Sequence, residues 1–492
     1  MRAGEQAYRD PIHDFITITD GHLRRIIDTP EFQRLRRIRQ LGASFGTYHG
    51  AEHSRFGHSL GAMWIMQRIL DRFRHSGMKI DEGTYLTALC AALLHDIGHG
   101  PFSHALEKRV AAGVPHEVWS AQIVLGDTEI NRLLRQIDAS LPDQVAAILT
   151  GTFTGPRYVA ELVSSQLDVD RMDYLIRDSL YTGVTYGRFD LQRVINTLTV
   201  VDERVVVAAK GVVAIEEYVL ARYFMYWQVY LHKTTRSQEW LLKGCWQRAK
   251  ELVAMGEMSV VDSASSHLRP FLLQGKGENG SGSGVGCGDS HGGGRGELEG
   301  QLLDGLLHKY LAIDDYDLIV TLKSWRSHKD KVLADLAARF LDRRLLKPVF
   351  KVPHEGSIEE GLDAAREVVA AHGWDPDYYL VIDHTTDVPY DVYTVEEGDV
   401  DDGVGAGVGE GVGVGDGWSG GKDAAFGVAG RMGSKEHKPP ILALDEFGRV
   451  SEIASLSTTI RAVAQRRRQA VNIYVPSEVL APIRSLFMVQ SS

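Results

Sequence analysis

The ten residues HDIGHGPFSH, numbered 95–104, are the most informative stretch of this sequence. They follow an apolar run, YLTALCAALL, which predicts a buried helix that delivers His95 and Asp96 at its end. Two further imidazoles, His99 and His104, follow between glycines that turn the backbone sharply. Adjacent imidazole and carboxylate groups are typical ligands of divalent Mn, Fe, Co, Ni, Zn or Mg, so this stretch indicates a metal site.

Two flanking segments supply candidates for the remaining ligands. Upstream, HSRFGHSLGAMW (53–64) begins an amphipathic helix near His58. Downstream, LDVDRMDYLIRDS (167–179) crowds four acidic residues, among them Asp170, onto one short helix. Burying such carboxylates is costly unless a cation compensates them. The sequence therefore predicts one divalent ion, held by His58, His95, Asp96 and Asp170.

Length and composition limit the class of protein. A chain of 492 residues is too long for one ordinary core, so we expect two or more domains. The net charge of −11 argues against a surface built to grip nucleic acid. Three scattered cysteines predict no disulfide framework, and neither a secretory signal nor a membrane span is visible. We therefore expect a cytoplasmic protein.

Helical patterns dominate the first half of the chain. Residues 1–22 favour a short strand or hairpin, and VVDERVVVAAKG (200–211) favours a β-hairpin between helices. The helices are predicted at 30–41, 56–75, 81–95, 116–125, 127–136, 141–149, 157–167, 168–178, 190–198 and 212–254. We expect a mainly α fold, with a helical core over residues 1–270 and a small β-hairpin.

Two glycine-rich stretches interrupt the remainder of the chain. Residues 275–300 contain 12 glycines in 26 positions, and residues 403–433 contain 13 in 31. Neither stretch has enough large apolar side chains to offset the entropy of ordering. We interpret both as flexible insertions, the second covering about 398–436. Strands and helices alternate in the rest of 301–492, which predicts an α+β C-terminal region.

Several motifs together resemble a known family. The segments HSRFGHS, LLHDIGHGPFSH, His116-Glu117 and LDVDRMDYLIRD are similar to the HD-superfamily phosphohydrolases, most closely the dNTP triphosphohydrolase branch. DPIHDFI, IIDTPEFQRLRRIRQLG and MYWQVYLHKTTRSQEW extend this resemblance over about half of the chain. The resemblance implies hydrolysis of dNTPs, dGTP among them, to the deoxynucleoside and triphosphate, with the metal held by the four ligands named above.

The resemblance also implies catalytic roles. His104 matches the family's catalytic imidazole, and His99 lies nearby in the sequence, so both are expected to act as acid or base. Glu107 and His116 match residues that orient those imidazoles, and Glu117 is expected to assist.

Further matches imply substrate contacts. Arg55 and Arg171 would neutralise the triphosphate, although vertebrate members carry lysine at the second position. Gln40 and Asp178 match groups that recognise the 3′-hydroxyl of the deoxyribose. Tyr174 matches the aromatic residue that packs against the sugar and disfavours a 2′-hydroxyl.

Regulation and assembly are implied as well. Asp28, Gln33 and Arg36 match an allosteric guanine-nucleotide site, which predicts activation by GTP or dGTP, although a capped helix with a solvated face has the same pattern. Family members form oligomers, so we expect a homo-oligomer, a tetramer or dimer. Gln228 is a departure, because vertebrate members carry a cation there.

Two alternatives to a dNTP hydrolase stay open. HD sites share metal ligands across many substrates, so the enzyme could cleave another nucleotide or phosphate ester. The basic run 466–468 and the cluster 34–39 are the support for a nucleotide-sensing or nucleic-acid-binding module, against which the acidic net charge weighs.

Overall fold

The computed structural model describes residues 6–107, 109–110, 114–274, 305–352, 359–387, 438–464 and 468–488. The chain divides into two compact units, Met1–Arg344 and Leu345–Ser492. The glycine-rich stretches 275–300 and 398–436 lie outside the described residues, so their interpretation as insertions stays a prediction.

The first unit is mainly helical. Its two antiparallel hairpins pair Gln6–Asp10 with Asp14–Ile18 and Leu198–Val201 with Arg204–Val207. Its α-helices include Gly21–Ile27, Pro30–Gln33, Arg55–His75, Glu82–Leu94, His116–Leu125, Glu129–Ile137, Leu141–Leu149, Arg157–Val163, Val169–Thr182, Leu191–Thr197, Val212–Met225, Lys233–Ala254, Ser259–Asp262, Arg269–Leu273, Asp315–Trp325 and Lys331–Leu341.

Three of these helices form the centre of the unit. The apolar helix (Glu82–Leu94) is buried from Thr87 onward, because nearly every side of that stretch is hydrophobic. It packs against the His58 helix (Arg55–His75), which also packs against the acidic helix (Val169–Thr182). The segments with the predicted metal ligands therefore lie next to one another in the core.

The long helix predicted at 212–254 is interrupted. Val212–Met225 is followed by a π-helical turn at Tyr226–Tyr230, and a new helix begins at Lys233. His232 has extended backbone angles, and its Nδ1 accepts a hydrogen bond from the Thr234 amide. A local side-chain cap therefore starts a second helix where the apolar pattern alone suggested continuity.

The structure also moves the domain boundary. Residues 305–344, which we assigned to the C-terminal region, belong to the first compact unit. The Tyr310 hydroxyl donates to the Gly98 carbonyl (2.7 Å), and Arg34 Nε donates to the Ile313 carbonyl (2.9 Å). These contacts join residues more than 200 positions apart, so a local sequence pattern could not reveal them.

The second unit contains both strands and helices. Its three-stranded antiparallel sheet has Arg468–Val475 between Lys347–Val352 and Val381–Asp387, and a hairpin pairs Leu442–Leu444 with Val450–Glu452. The helices described are Glu359–Ala371, Pro376–Tyr379, Ile453–Leu456, Thr458–Ala464 and Leu480–Met488. The predicted fold class, mainly α with an α+β C-terminal region, is confirmed. In the described part of the chain, no helix combines the length and apolar character needed to cross a membrane.

Candidate metal centre and its surroundings

The four predicted metal ligands converge on one point. His58 Nε2 lies 3.2 Å from His95 Nε2 and 3.1 Å from Asp170 Oδ1. His95 Nε2 lies 3.5 Å from Asp96 Oδ1 and 3.6 Å from Asp170 Oδ1. Ligand atoms ~2.1 Å from a common ion lie roughly 3.0–3.5 Å apart in octahedral or tetrahedral geometry. The spacing of these nitrogen and oxygen atoms therefore suits a single divalent ion.

The hydrogen bonds of the two imidazoles support the same conclusion. His95 Nδ1 lies 2.9 Å from the Ala92 carbonyl, which can only accept, so Nδ1 carries the proton. His58 Nδ1 lies 2.9 Å from the Asp173 carboxylate and is the donor there for the same reason. In the neutral rings both Nε2 atoms then present lone pairs to each other and to Asp170. Such lone pairs repel one another unless a cation lies between them.

The ionisation of the site favours a cation. Burial alone lowers the pKa of His58, but hydrogen bonds to Asp170 and Asp173 outweigh burial and raise this pKa to about 10. The same carboxylates that hold a proton on His58 would stabilise a metal ion, which displaces that proton and leaves the ring neutral. Burial raises the pKa of Asp96, but the Arg55 guanidinium and the neighbouring imidazoles hold it well below the ordinary value. The carboxylates therefore stay ionised at neutral pH, as metal binding requires.

Asp173 holds His58 in place from behind. It is fully buried and also accepts hydrogen bonds from His13 Nε2 (2.7 Å) and Arg177 Nε (2.7 Å). The His58 helix and the acidic helix approach closely here, because a Cβ added at Gly61 would lie 1.9 Å from Asp173 Oδ1. Carboxylates in this position fix the tautomer and orientation of a metal-binding histidine.

Arg55 lies beside the ligand set. Its guanidinium is buried and forms an ion pair with Asp96, while its Nε donates to Ser103 Oγ (3.0 Å). The residue predicted to neutralise a triphosphate is thus also a direct partner of one predicted ligand.

The predicted acid–base residues form a second cluster next to Asp96. His99 Nε2 lies 3.2 Å from Asp96 Oδ1, and the His99 ring stacks on the His116 ring with centroids 3.8 Å apart. His116 Nδ1 lies 2.6 Å from Glu107 Oε1 and 3.3 Å from Glu117 Oε2. The structure therefore brings four of the residues we assigned to catalysis into contact.

The two stacked imidazoles differ in how tightly they bind a proton. Burial lowers the pKa of His99 well below its ordinary value, and nearby positive charge adds to that effect. Burial also acts on His116, but its hydrogen bond to Glu107 outweighs burial and raises the pKa. His104 lies in the 3₁₀ turn Ser103–Ala105, and its side chain lies outside the described part of the structure.

The predicted sugar-binding residues gather on one side of the metal centre. Tyr174 and Asp178 lie four residues apart on the acidic helix and therefore share a face. The Asp178 carboxylate forms hydrogen bonds with His53 Nε2 (2.7 Å) and the Tyr230 hydroxyl (2.9 Å). The backbone amide of Gln40 donates to the backbone carbonyl of His53 (2.9 Å). Gln40 Oε1 is buried and has no hydrogen-bond partner among the described residues. This oxygen is free to accept a bond from a ligand.

Arg171 is anchored at the start of the acidic helix, close to Tyr174 and Asp170. Its Nη1 donates to the Ser165 carbonyl (2.6 Å) and pairs with Asp168, which caps the acidic helix. Arg171 places positive charge near Tyr174, and so does Arg222, a residue that the sequence did not single out. The backbone carbonyl of Gln228 accepts a bond from the Tyr48 hydroxyl (2.5 Å).

The predicted allosteric residues lie near the N-terminal hairpin. Gln33 donates to the Ile27 carbonyl (2.8 Å) and accepts from Arg36 Nε (2.8 Å). Arg36 also lies over the Phe56 ring, 3.6 Å from its centroid. Asp28 lines a cavity of about 500 Å³ together with Gln6, Gly21, His22, Arg24 and Arg25. The structure thus joins two of the three residues and places the third at a charged cavity.

Sequence reasoning missed the residues behind the ligands. Asp173 and Arg177 carry a usable signal, because a carboxylate and an arginine at i and i+4 share a helix face. His13 and Asp10 carry none, since they reach Asp173 and Arg177 from the N-terminal hairpin, about 160 residues away.

Comparisons with known proteins agree with this geometry. The family model of the HD domain matches residues 55–178, and the model of the HD associated region matches residues 189–267. The chain is 34% identical to the Bacillus subtilis protein YwfO over 97% of this chain and 93% of that protein.

Two further similarities are informative. The chain is 28% identical to a protein of Dictyostelium discoideum named deoxynucleoside triphosphate triphosphohydrolase SAMHD1 homolog, over 52% of each chain. A crystal structure of a phosphohydrolase from Bacteroides thetaiotaomicron shares 29% identity with a TM-score of 0.74, covering 96% of this chain and 99% of that one. With its histidines and aspartates converging as described, the chain belongs to the HD-superfamily phosphohydrolases.

Proposed function

We propose that this protein hydrolyses deoxynucleoside triphosphates, dGTP among them, to the deoxynucleoside and triphosphate. The observation that carries the proposal is the convergence of His58, His95, Asp96 and Asp170 near the side chains of Tyr174, Asp178 and Gln40. The similarity to proteins named deoxynucleoside triphosphate triphosphohydrolase supports the choice of substrate.

A bound divalent ion would supply Lewis-acid polarisation of the phosphoryl oxygen and an activated water. Arg55 and Arg171, with Arg222 nearby, would contribute the positive charge that a triphosphate requires close to the predicted metal ligands. His99, whose depressed pKa leaves it neutral and weakly basic, is assigned an acid–base role beside Asp96, and His104 is assigned the protonation of the leaving 5′-oxygen. Glu107 holds His116 in a fixed orientation against His99.

We assign the binding of the deoxyribose to three residues. Gln40 Oε1 and the Asp178 carboxylate accept a hydrogen bond from the 3′-hydroxyl of the deoxyribose. Tyr174, with its ring centroid 6.4 Å from that of His58, packs against the sugar face and leaves little room for a 2′-hydroxyl. The specificity for deoxyribose would then follow from shape as well as from hydrogen bonding.

Regulation by a nucleotide and assembly into an oligomer belong to the same proposal. Asp28 lines a cavity together with the two cations Arg24 and Arg25, a suitable setting for a phosphorylated ligand. We assign GTP or dGTP as the activator and a homo-oligomer, a dimer or tetramer, as the active form.

The test is an assay of metal-loaded protein with each dNTP, with and without GTP or dGTP. The expected products are the deoxynucleoside and inorganic triphosphate, identified by chromatography. Release of orthophosphate or pyrophosphate from other nucleotides, with every dNTP left intact, would instead identify a phosphohydrolase with another substrate.

A further inference from the structure

The loop that follows the metal ligands is supported by a distant part of the chain. Residues 305–325 lie outside both regions matched by the family models, yet they contact the loop 95–105. The Tyr310 hydroxyl donates to the Gly98 carbonyl (2.7 Å), and the Tyr310 ring stacks on Trp119 with centroids 4.0 Å apart.

Asp315 is the central residue of this support. Its side chain is fully buried, and Oδ1 accepts a hydrogen bond from the Phe102 amide (2.8 Å). Oδ2 accepts from the amide (3.0 Å) and Nη1 (3.3 Å) of Arg39. One carboxylate therefore joins the loop to the segment that carries Gln40.

The backbone held by Asp315 is strained. Phe102 and Ser103 have φ angles of 53° and 48°, in the left-handed region that side chains other than glycine rarely occupy. Two such residues in succession persist only where surrounding contacts hold them, and the Phe102 amide is held by Asp315. The chain continues directly into His104.

A line of hydrogen bonds connects Asp315 with the metal centre. Ser103 Oγ donates to the Arg39 carbonyl (3.3 Å) and accepts from Arg55 Nε (3.0 Å). Arg55 in turn pairs with Asp96, one of the predicted ligands. A change at Asp315 can therefore reach Asp96 through Arg39, Ser103 and Arg55 without contacting any ligand.

We propose that Asp315 is a positioning residue of the active site, which fixes the loop 95–105 so that Arg55 and Asp96 keep their geometry. Its effect on turnover rests on the proposed function, whereas its effect on the loop does not. Tyr310 acts with it at the other end of the loop, through Gly98.

The test compares Asp315→Asn with Asp314→Asn in the full-length protein. Both variants neutralise a carboxylate in the same helical turn, but Asp314 pairs with Arg37 and makes no described contact with the loop. Asp315→Asn should lower kcat for a dNTP at least about tenfold, with KM and melting temperature close to those of Asp314→Asn. Hydrogen–deuterium exchange of the peptide 98–106 should accelerate at least about tenfold in Asp315→Asn alone.

A second pair of variants keeps the proposal testable if Asp315→Asn does not fold. Tyr310→Phe removes the hydroxyl bonded to Gly98 and keeps the ring on Trp119, whereas Tyr316→Phe alters an exposed tyrosine nearby. Tyr310→Phe should lower kcat about threefold and accelerate exchange of the same peptide, and Tyr316→Phe should change neither.

The outcomes separate the two proposals. Unchanged exchange of the loop in both Asp315→Asn and Tyr310→Phe overturns the positioning role, whatever the substrate. If the native protein leaves every dNTP intact while the loop exchanges faster in these variants, the proposed substrate is wrong and the positioning role stands.

Discussion

Two buried carboxylates, Asp173 and Asp315, hold different segments around the candidate metal centre, and their surroundings differ. Asp173, behind His58, contacts the His13 imidazole of the N-terminal hairpin and the Arg177 guanidinium. Burial raises the pKa of Asp173, but Arg177 and the hydrogen bonds hold this pKa well below its ordinary value. Asp315, behind the loop 95–105, is held mainly by amide groups and one arginine, so burial dominates and raises its pKa to about 6. Charged partners therefore favour the ionised form of Asp173, whereas burial makes the ionisation of Asp315 less favourable.

The largest effect on turnover is expected from a change to one of the four predicted metal ligands. Asp96→Ala removes a metal ligand and the partner of Arg55, so metal binding should be lost and turnover should fall at least about a thousandfold. Metal content and dNTP hydrolysis measure this, and circular dichroism checks that the fold is largely intact. Asp138→Ala, at an exposed position, serves as the control. Full activity of Asp96→Ala would show that the site is assigned wrongly.

A smaller effect, on stability as well as turnover, is expected from Asp173→Asn. The change leaves the buried Arg177 without the charge of one partner and releases His58 Nδ1 and His13, so unfolding should become easier by ~3–5 kcal/mol. Denaturant unfolding measures this loss of unfolding free energy. Activity measured at denaturant concentrations below the unfolding transition reports the orientation of His58. The comparison variant is Asp71→Asn, which loses one bond to the Tyr85 hydroxyl. A loss no larger than that of Asp71→Asn would contradict the role of Asp173.

The smallest effect is expected from pH acting on Asp315. Its pKa in the folded protein, about 6, lies above the ordinary 3.8, so the folded state holds this proton more tightly than the unfolded chain. The unfolding free energy of the native protein, relative to that of Asp315→Asn, is therefore highest below about pH 4 and falls as the pH rises through about 6. A pKa difference of about 2 corresponds to ~3 kcal/mol. Unfolding free energies of both proteins between pH 4 and 8 measure this change, and a constant difference between them would refute it.

The comparison also shows what the sequence could predict. The four metal ligands could be predicted because each belongs to a compact motif, such as HDIGHGPFSH, whose residue types have few structural uses. The helix that leads to His95 and Asp96 could be predicted because it is apolar on nearly every side, as the fully buried run from Thr87 to Leu94 shows. Asp173 lies inside one of these motifs and could have been singled out by its pairing with Arg177.

Asp315 could not have been found in this way. It follows a glycine-rich stretch and stands in an ordinary capping sequence, IDDYD, where Asp314 and Asp317 form the capping box of the helix. Its contact with Phe102 spans 213 positions, and neither segment contains a pattern that indicates the other. The domain boundary was misplaced for the same reason, because tertiary contacts and not local composition attach residues 305–344 to the first unit.

The bond from Arg34 to the Ile313 carbonyl sets the minimal fragment of this enzyme. A truncated protein that stops at residue 267, where the second family model ends, would retain all four predicted metal ligands. It would nevertheless lose the acceptor of a fully buried guanidinium and the acceptor of the Phe102 amide at once. Shortened forms made for crystallisation or engineering therefore have to extend to residue 344 if the active-site loop is to keep its shape.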